Sequence, residues 1–158
     1  MAASPENVAE IKKRMGVQTI GHDKLNQMRH VRFLKDADGI AAHMAKHASI
    51  IRPKFELVLK MLEEGLAGTG CGSWSNPRGG YFVSFDAPEG TAKHIVAMAK
   101  EAGVTMTGAG ATYPYKNDPK DSNIRIAPTL PPLEELESAL KVCLLYTSPS
   151  PRDSTSSR

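Results

Sequence analysis

A chain of 158 residues, 41% hydrophobic and 23% charged, has the length and composition of one ordinary soluble domain, able to bury about two-thirds of its unfolded surface. Its net charge of +3 is too small to argue for nucleic acid or an anionic membrane as partner, and no apolar run approaches the ~18 residues of a membrane span. Two cysteines, Cys71 and Cys143, suggest neither a disulfide framework nor a metal site, so a reducing, cytoplasmic setting is the expectation.

Met1-Ala2-Ala3-Ser4-Pro5-Glu6 leads directly into a polar helix start and carries no signal-peptide pattern. Ser4 as N-cap, Pro5 in the first turn and Glu6 near the positive end of the dipole predict a first helix. Val8, Ile11 and Met15 give it an apolar stripe, and Gly16 is expected to stop it. Gln18-Thr19-Ile20-Gly21-His22 reads as a loop. Asp23 can cap a second helix carrying Leu25, Met28 and Arg29 to about Leu34. Ile40, Met44, Ala48, Ile51, Phe55, Val58, Leu62 and Leu66 then recur at steps of three and four, the pattern of one long amphipathic helix. Pro53 interrupts its hydrogen bonding and should bend the axis. A helix of this length suits a bridge between two parts of a larger protein.

Gly65 to Gly72 is a glycine-rich exit. Ser75-Asn76-Pro77-Arg78-Gly79-Gly80 is a turn into a strand at Tyr81-Phe82-Val83-Ser84-Phe85-Asp86, and a hairpin with a short strand around Trp74 is possible. Thr91 can cap a helix with Ala92, Ile95, Val96, Ala99 and Ala102 inward, closed by Gly103. Val104-Thr105-Met106 reads as a short strand. Gly108-Ala109-Gly110 and Tyr113 to Pro119 form a long loop. Pro131-Pro132 start a last helix with Leu133, Leu136 and Leu140 inward, ending near Val142. Helices followed by strand, helix, two strands and a helix predict an α+β fold, a small mostly antiparallel sheet covered by helices.

One more segment, Asn123-Ile124-Arg125-Ile126-Ala127-Pro128, is a strand by its period-two alternation, ended by Pro128. Ile124 and Ile126 point one way; Asn123, Arg125 and Ala127 point the other. An arginine held on such a strand is a rigid two-pronged donor for a carboxylate. Taken alone, the segment is explained more simply by a solvated charge on a half-buried strand.

The other candidates are weaker. His43 and His47 have the i, i+4 spacing of metal ligands but lack a nearby third ligand. Gly68-Thr69-Gly70-Cys71-Gly72 resembles a phosphate loop but opens no helix. Cys71 lacks a partner for nucleophilic work. Lys12-Lys13-Arg14 fits a solvated helix end; Arg29 and Arg32 beside His30 could bind an anion, but a half-solvated helix explains them as well. No catalytic pair or triad of side chains stands out, and no metal site is expected.

Three segments together add weight to Arg125. Gly79-Gly80-Tyr81-Phe82-Val83-Ser84-Phe85, Ala99-Lys100-Glu101-Ala102-Gly103-Val104 and Asn123-Ile124-Arg125-Ile126-Ala127-Pro128 closely resemble the carboxy-terminal small domain of pyridoxal-phosphate-dependent aminotransferases of the aspartate aminotransferase fold, fold type I. Gln18 to His30 resembles a bacterial aspartate-aminotransferase subgroup. The resemblance spans about residues 1 to 142. It implies that Arg125 grips the substrate carboxylate, that Tyr81 lies near the substrate, and that Thr19 and Gly21 reach a neighbouring subunit's cofactor in a homodimer. It also implies pyridoxal 5'-phosphate as cofactor and an amino acid, aspartate by the subgroup, with a 2-oxo acid as substrates. Gly108 stands where relatives usually have proline, which should loosen the loop it opens.

The family also uses a lysine, in a Ser-x-x-Lys segment, that forms the Schiff base with the cofactor. No lysine of this chain has that context, so no catalytic residue is assigned and the chain is expected to be an inactive fragment. The alternative is a free-standing ligand- or protein-binding α+β module. The expected organisation is 1–37, a helical segment from the end of the large domain; 38–66, the long connecting helix; 67–142, the small α+β domain; and 143–158, a non-native disordered tail. That tail, from Cys143-Leu144-Leu145-Tyr146-Thr147-Ser148 onward, resembles the translation of a sequencing-library adapter.

Overall fold

A computed structural model describes residues 2–148 of the chain. These form two compact units, divided between His47 and Ala48.

The first unit opens with α1, Pro5–Gln18. Ser4 is its N-cap, and the Asn7 amide donates to the Ser4 hydroxyl. Gly16 does not end the helix as expected. A glycine stops a helix by adopting the left-handed conformation; here the stop is Thr19, in extended backbone, whose amide still donates to the Met15 carbonyl. Next, α2 covers Lys24–Leu34 under an Asp23 cap that accepts from the Asn26 amide at 3.0 Å. It stops where Lys35 turns left-handed, at φ 62°. The long helix α3, Ala37–Leu66, contains Pro53 and is shared between the two units.

In the second unit the carboxy-terminal part of α3 packs on a three-stranded sheet: β1 (Ser73–Trp74), β2 (Val83–Asp86) and β3 (Asn123–Ile126). The order is β1-β2-β3 and both pairings are antiparallel. The predicted α+β layer and the hairpin at Trp74 are therefore present. Val58, Leu62 and Leu66 of α3 meet Val83 and Phe85 of β2, Ile124 of β3, Ile95 of α4 (Ala92–Glu101), and Leu136 and Leu140 of α5 (Leu133–Thr147) in one core. The glycine-rich exit has a packing role at Gly72, where an added Cβ would come within 2.6 Å of the Phe85 ring.

Several local expectations change. The second strand begins at Val83, so Tyr81 and Phe82 precede it. Val104–Met106 is not a strand. The Val104 amide is taken by the Ala99 carbonyl at 2.8 Å, closing α4 around Gly103 at φ 88°, so it is not available to start a ladder. Thr91 precedes α4 but does not cap it with its side chain; its hydroxyl donates backward to the Pro88 carbonyl at 2.6 Å. Asp121 serves the helix start instead, its carbonyl accepting from the Ala92 amide and its carboxylate from the Lys93 amide. Leu133 is exposed, while Leu136 and Leu140 are buried.

Finally, α5 continues past Val142 to Thr147, because Leu144 packs against the core and gives the last turn apolar contact. Cys143, half-buried 3.5 Å from the Met106 sulfur, has its thiol pKa pushed up to about 11 by burial. Residues 149–158 of the expected tail lie outside the described residues. Among those described, no helix is long and apolar enough to cross a membrane.

Candidate functional site

The register of β2 and β3 separates the sheet into two chemically different faces. Val83 pairs with Ile126 and Phe85 with Ile124 on the core face. Ser84 pairs with Arg125, and Asp86 with Asn123, on the other. By the same alternation Phe82 joins this polar face. An apolar cavity of about 190 Å³ lies on the core side, bounded by Leu62, Leu66, Ile124, Leu136 and Leu140 among others. Arg125 also borders this cavity, while Ser84, Asp86 and Asn123 stand on the opposite side of the strands.

Arg125 lies with its guanidinium carbon 4.3 Å from the centre of the Phe82 ring. The guanidinium lies over the face of that ring. Its Nε is buried, and among the described residues it has no hydrogen-bond acceptor. A buried charged donor without an acceptor is costly unless something anionic completes it. A planar guanidinium is well matched to the two oxygens of a carboxylate.

Asn123 organises the rest of this face. Its amide nitrogen donates to the Ser84 hydroxyl at 2.9 Å and to the Asp86 carboxylate at 2.8 Å. Its amide oxygen accepts from the Thr112 hydroxyl at 2.6 Å, and its backbone carbonyl accepts from the Gly110 amide at 3.0 Å. The loop after α4 is thereby tied to β3. Asp118 fixes the other end of that loop. Its carboxylate accepts from the backbone amides of Ser122 and Asn123, each at 2.9 Å, and of Lys120 at 3.0 Å. The Asn123 amide above all holds the Asp118 pKa below its ordinary value. Tyr115, Lys116 and Asp121 all have positive φ, at 55°, 57° and 46°, so this segment stores backbone strain that its hydrogen bonds retain.

The remaining sequence candidates lie as follows. Tyr81 is exposed in the turn before β2, and the ring beneath Arg125 is that of its neighbour Phe82. Thr19 and Gly21 belong to the first unit. There the Thr19 hydroxyl donates to the Gly21 carbonyl at 2.6 Å and accepts from the Gly21 amide at 3.3 Å. In the same unit the Nε2 atoms of His43 and His47 are 3.1 Å apart, with Phe33 edge-on to His43. No group of three or more metal-ligating side chains occurs among the described residues. The Cys71 amide and sulfur both turn back to Thr69. Lys12, Lys13, Arg29 and Arg32 are exposed on their helices.

Phe82, Thr112, Asp118 and the hub role of Asn123 were not legible as site features. The available signal was parity: Asn123 is two residues from Arg125 on a strand and so shares its face. Which loop would meet that face depends on contacts distant in sequence.

The aspartate amino-transferase family model matches residues 1–150 of the chain. A provisionally named aminotransferase from Mycolicibacterium smegmatis is 49% identical over 140 residues, covering 89% of this chain and 33% of that protein. The aspartate aminotransferase of Corynebacterium glutamicum is 47% identical over 137 residues, covering 87% and 32%. Among solved structures, a provisionally named aminotransferase from Corynebacterium diphtheriae superposes with a TM-score of 0.83 at 46% identity, covering 92% of this chain and 36% of that one. The chain spans about a third of the length of the curated relatives it matches.

Proposed function

This chain belongs to the aspartate amino-transferase family, and we propose that it is the part of a fold type I aminotransferase that grips the substrate carboxylate, through Arg125. Its α+β layer matches the carboxy-terminal domain of aminotransferase structures. In this reading the parent protein moves an amino group between an amino acid, aspartate in the first instance, and a 2-oxo acid. It does so with pyridoxal phosphate, as a cytoplasmic homodimer, and Tyr81 borders the substrate.

The observation that carries the reading is the buried, acceptor-less Nε of Arg125 on the polar sheet face. A solvated surface arginine would have its donors in water. This one is stacked on Phe82 with a donor that calls for an anion. The chain's own residues therefore hold and orient a carboxylate, and the apolar ring behind the guanidinium keeps water from one side of the pair.

Pyridoxal phosphate, when bound, serves as the electron sink of the family's chemistry. The residues described here fit the amino-acid substrate and do not by themselves fit that group. The face around Arg125 presents Phe82, Ser84, Asp86 and Asn123 but no lysine, and the hydroxyl of Thr19 is engaged within its own turn. No step through the cofactor is assigned to this chain. Thr19 and Gly21 remain the proposed points of approach to a neighbouring subunit's cofactor.

Two measurements test the reading. Titration with maleate, a simple dicarboxylate, should shift the Arg125 Nε–H resonance and saturate, and Arg125→Gln should abolish saturation. A wild-type chain that binds no carboxylate would overturn the assignment. Mixing the chain with pyridoxal phosphate should give no borohydride-fixed lysine adduct that turns over an amino acid; specific turnover would contradict the inactive-fragment reading.

A further inference from the structure

On an antiparallel pair, a long side chain reaches the residue opposite and the two diagonal ones, about 7–8 Å away between Cα atoms. Arg125 lies opposite Ser84, so its diagonals are Phe82 and Asp86. These offer very different partners. Phe82 offers a ring face, which leaves the in-plane donors of a guanidinium open to a ligand. Asp86 offers a carboxylate, which would take those donors in an internal ion pair. Arg125 stacks on Phe82, and none of the ion pairs among the described residues joins it to Asp86. An acid one diagonal away is the nearest competitor for any ligand carboxylate, so something must hold it off.

Asn123 is placed to do this. It lies directly opposite Asp86 and on the same face as Arg125. Its single NH₂ group donates to the Asp86 carboxylate at 2.8 Å and to the Ser84 hydroxyl at 2.9 Å, engaging an acceptor on each of the two residues of β2 nearest the guanidinium. The amide cannot swivel away, because Thr112 donates to its oxygen at 2.6 Å, and the residue is buried. The Asp86 carboxylate fixes which end of the amide faces it: an ionised acid only accepts, so the NH₂ end meets the acid and the oxygen is left to accept from the Thr112 hydroxyl.

We propose that Asn123 is a positioning residue that keeps the Arg125 clamp open: by engaging Asp86 and Ser84 it commits Arg125 to Phe82 and leaves its guanidinium for the carboxylate of an incoming acid. The inference rests on the reading of Arg125 as a carboxylate clamp and adds what protects it. Removing Asn123 frees Asp86 to capture Arg125, so the site is lost to an internal competitor while its arginine is still present. Removing Asp86 as well should give the site back.

The test uses the full chain, labelled with ¹⁵N, and maleate as the probe. The Arg125 Nε–H signal is assigned by its disappearance in Arg125→Gln. Asn123→Ala should weaken maleate binding by about tenfold and move the Arg125 Nε–H signal in the absence of ligand, as expected for a new charge-assisted bond. The double variant Asn123→Ala/Asp86→Asn should recover binding to within about twofold of wild type and return the signal. A structural role alone would not be rescued by a second substitution. Unchanged binding and an unmoved signal in Asn123→Ala would overturn the proposal, as would a loss that Asp86→Asn does not restore. If Asn123→Ala does not fold, Asn123→Ser carries the same comparison with one donor for two acceptors. Should the wild type ignore maleate, the clamp reading fails by itself. The ligand-free Arg125 signal would still decide whether Asn123 keeps the guanidinium from Asp86.

Discussion

The two halves of α3 carry the same three-and-four apolar spacing and come to opposite ends. Toward its carboxy terminus, Val58, Leu62 and Leu66 are 0%, 4% and 1% exposed. Toward its amino terminus, Ile40 and Met44 are 48% and 61% exposed. Periodicity specifies that one face is apolar; it does not specify that this chain supplies the cover. The buried half has a sheet and two further helices against it. The exposed half lies in a unit whose other helices, α1 and α2, bury no residue completely. The same half-covered logic holds on the sheet. One face is closed core, while the other presents an arginine whose Nε lacks an acceptor among the described residues.

The largest effect should come from the covered half. Leu62→Ala leaves a cavity in the core and should cost about 3 kcal/mol in urea unfolding of the second unit, against no more than about 0.5 kcal/mol for Met44→Ala. Equal losses would erase the distinction between the halves.

The loop that closes the polar face comes next. Gly110 sits at φ 72°, and an added Cβ would lie 3.0 Å from the Lys116 carbonyl and 3.2 Å from the Asp118 Cβ. Gly110→Ala should therefore cost about 1–2 kcal/mol, measured the same way. A neutral substitution would mean that the loop is not held where Asn123 and Asp118 place it.

A smaller, pH-dependent effect belongs to Asp118. Its folded pKa lies below the ordinary 3.8, so the stability its carboxylate contributes is complete above the unfolded pKa and is lost as pH falls through the folded one. Acid titration of the unfolding midpoint should show this loss below about pH 4, and Asp118→Asn should flatten that part of the curve. A curve identical in the two proteins would remove Asp118 from the loop's support.

The smallest effect on folding, and the largest on behaviour in solution, falls on the uncovered half. Leu25, Met28, Val31, Phe33, Ile40 and Met44 are exposed together in the first unit, and apolar surface on this scale drives association. Sedimentation should show self-association that Phe33→Gln with Met44→Gln reduces while unfolding is little changed. A monodisperse wild-type monomer would contradict the expectation.

Much of this was legible in the residues. Ser4 and Asp23 cap their helices because a short side-chain oxygen can reach an amide three residues on, which is local information. The strand at Arg125 and its two faces follow from alternation alone. Errors arose where a backbone group had a choice of partners. Thr91 looked like a cap, yet Asp121, thirty residues later in sequence, occupies the amides of α4. Val104 looked like a strand, yet its amide closes the preceding helix. The Asn123 hub was hidden for the same reason, since Thr112 comes from the loop after α4 and Ser84 and Asp86 from β2, both distant from Asn123 in sequence.

Residue order and fixed backbone periods sufficed for the helices, for the strand at Arg125 and its parity, and hence for Arg125 and Asn123 sharing a face, though not for every boundary or for Val104–Met106. The tertiary structure alone decided what that face does: which half of α3 is covered, which ring lies under Arg125, and which acid Asn123 holds away from it. Those are questions of competition among distant partners, and a competition is settled only when all of them are in place.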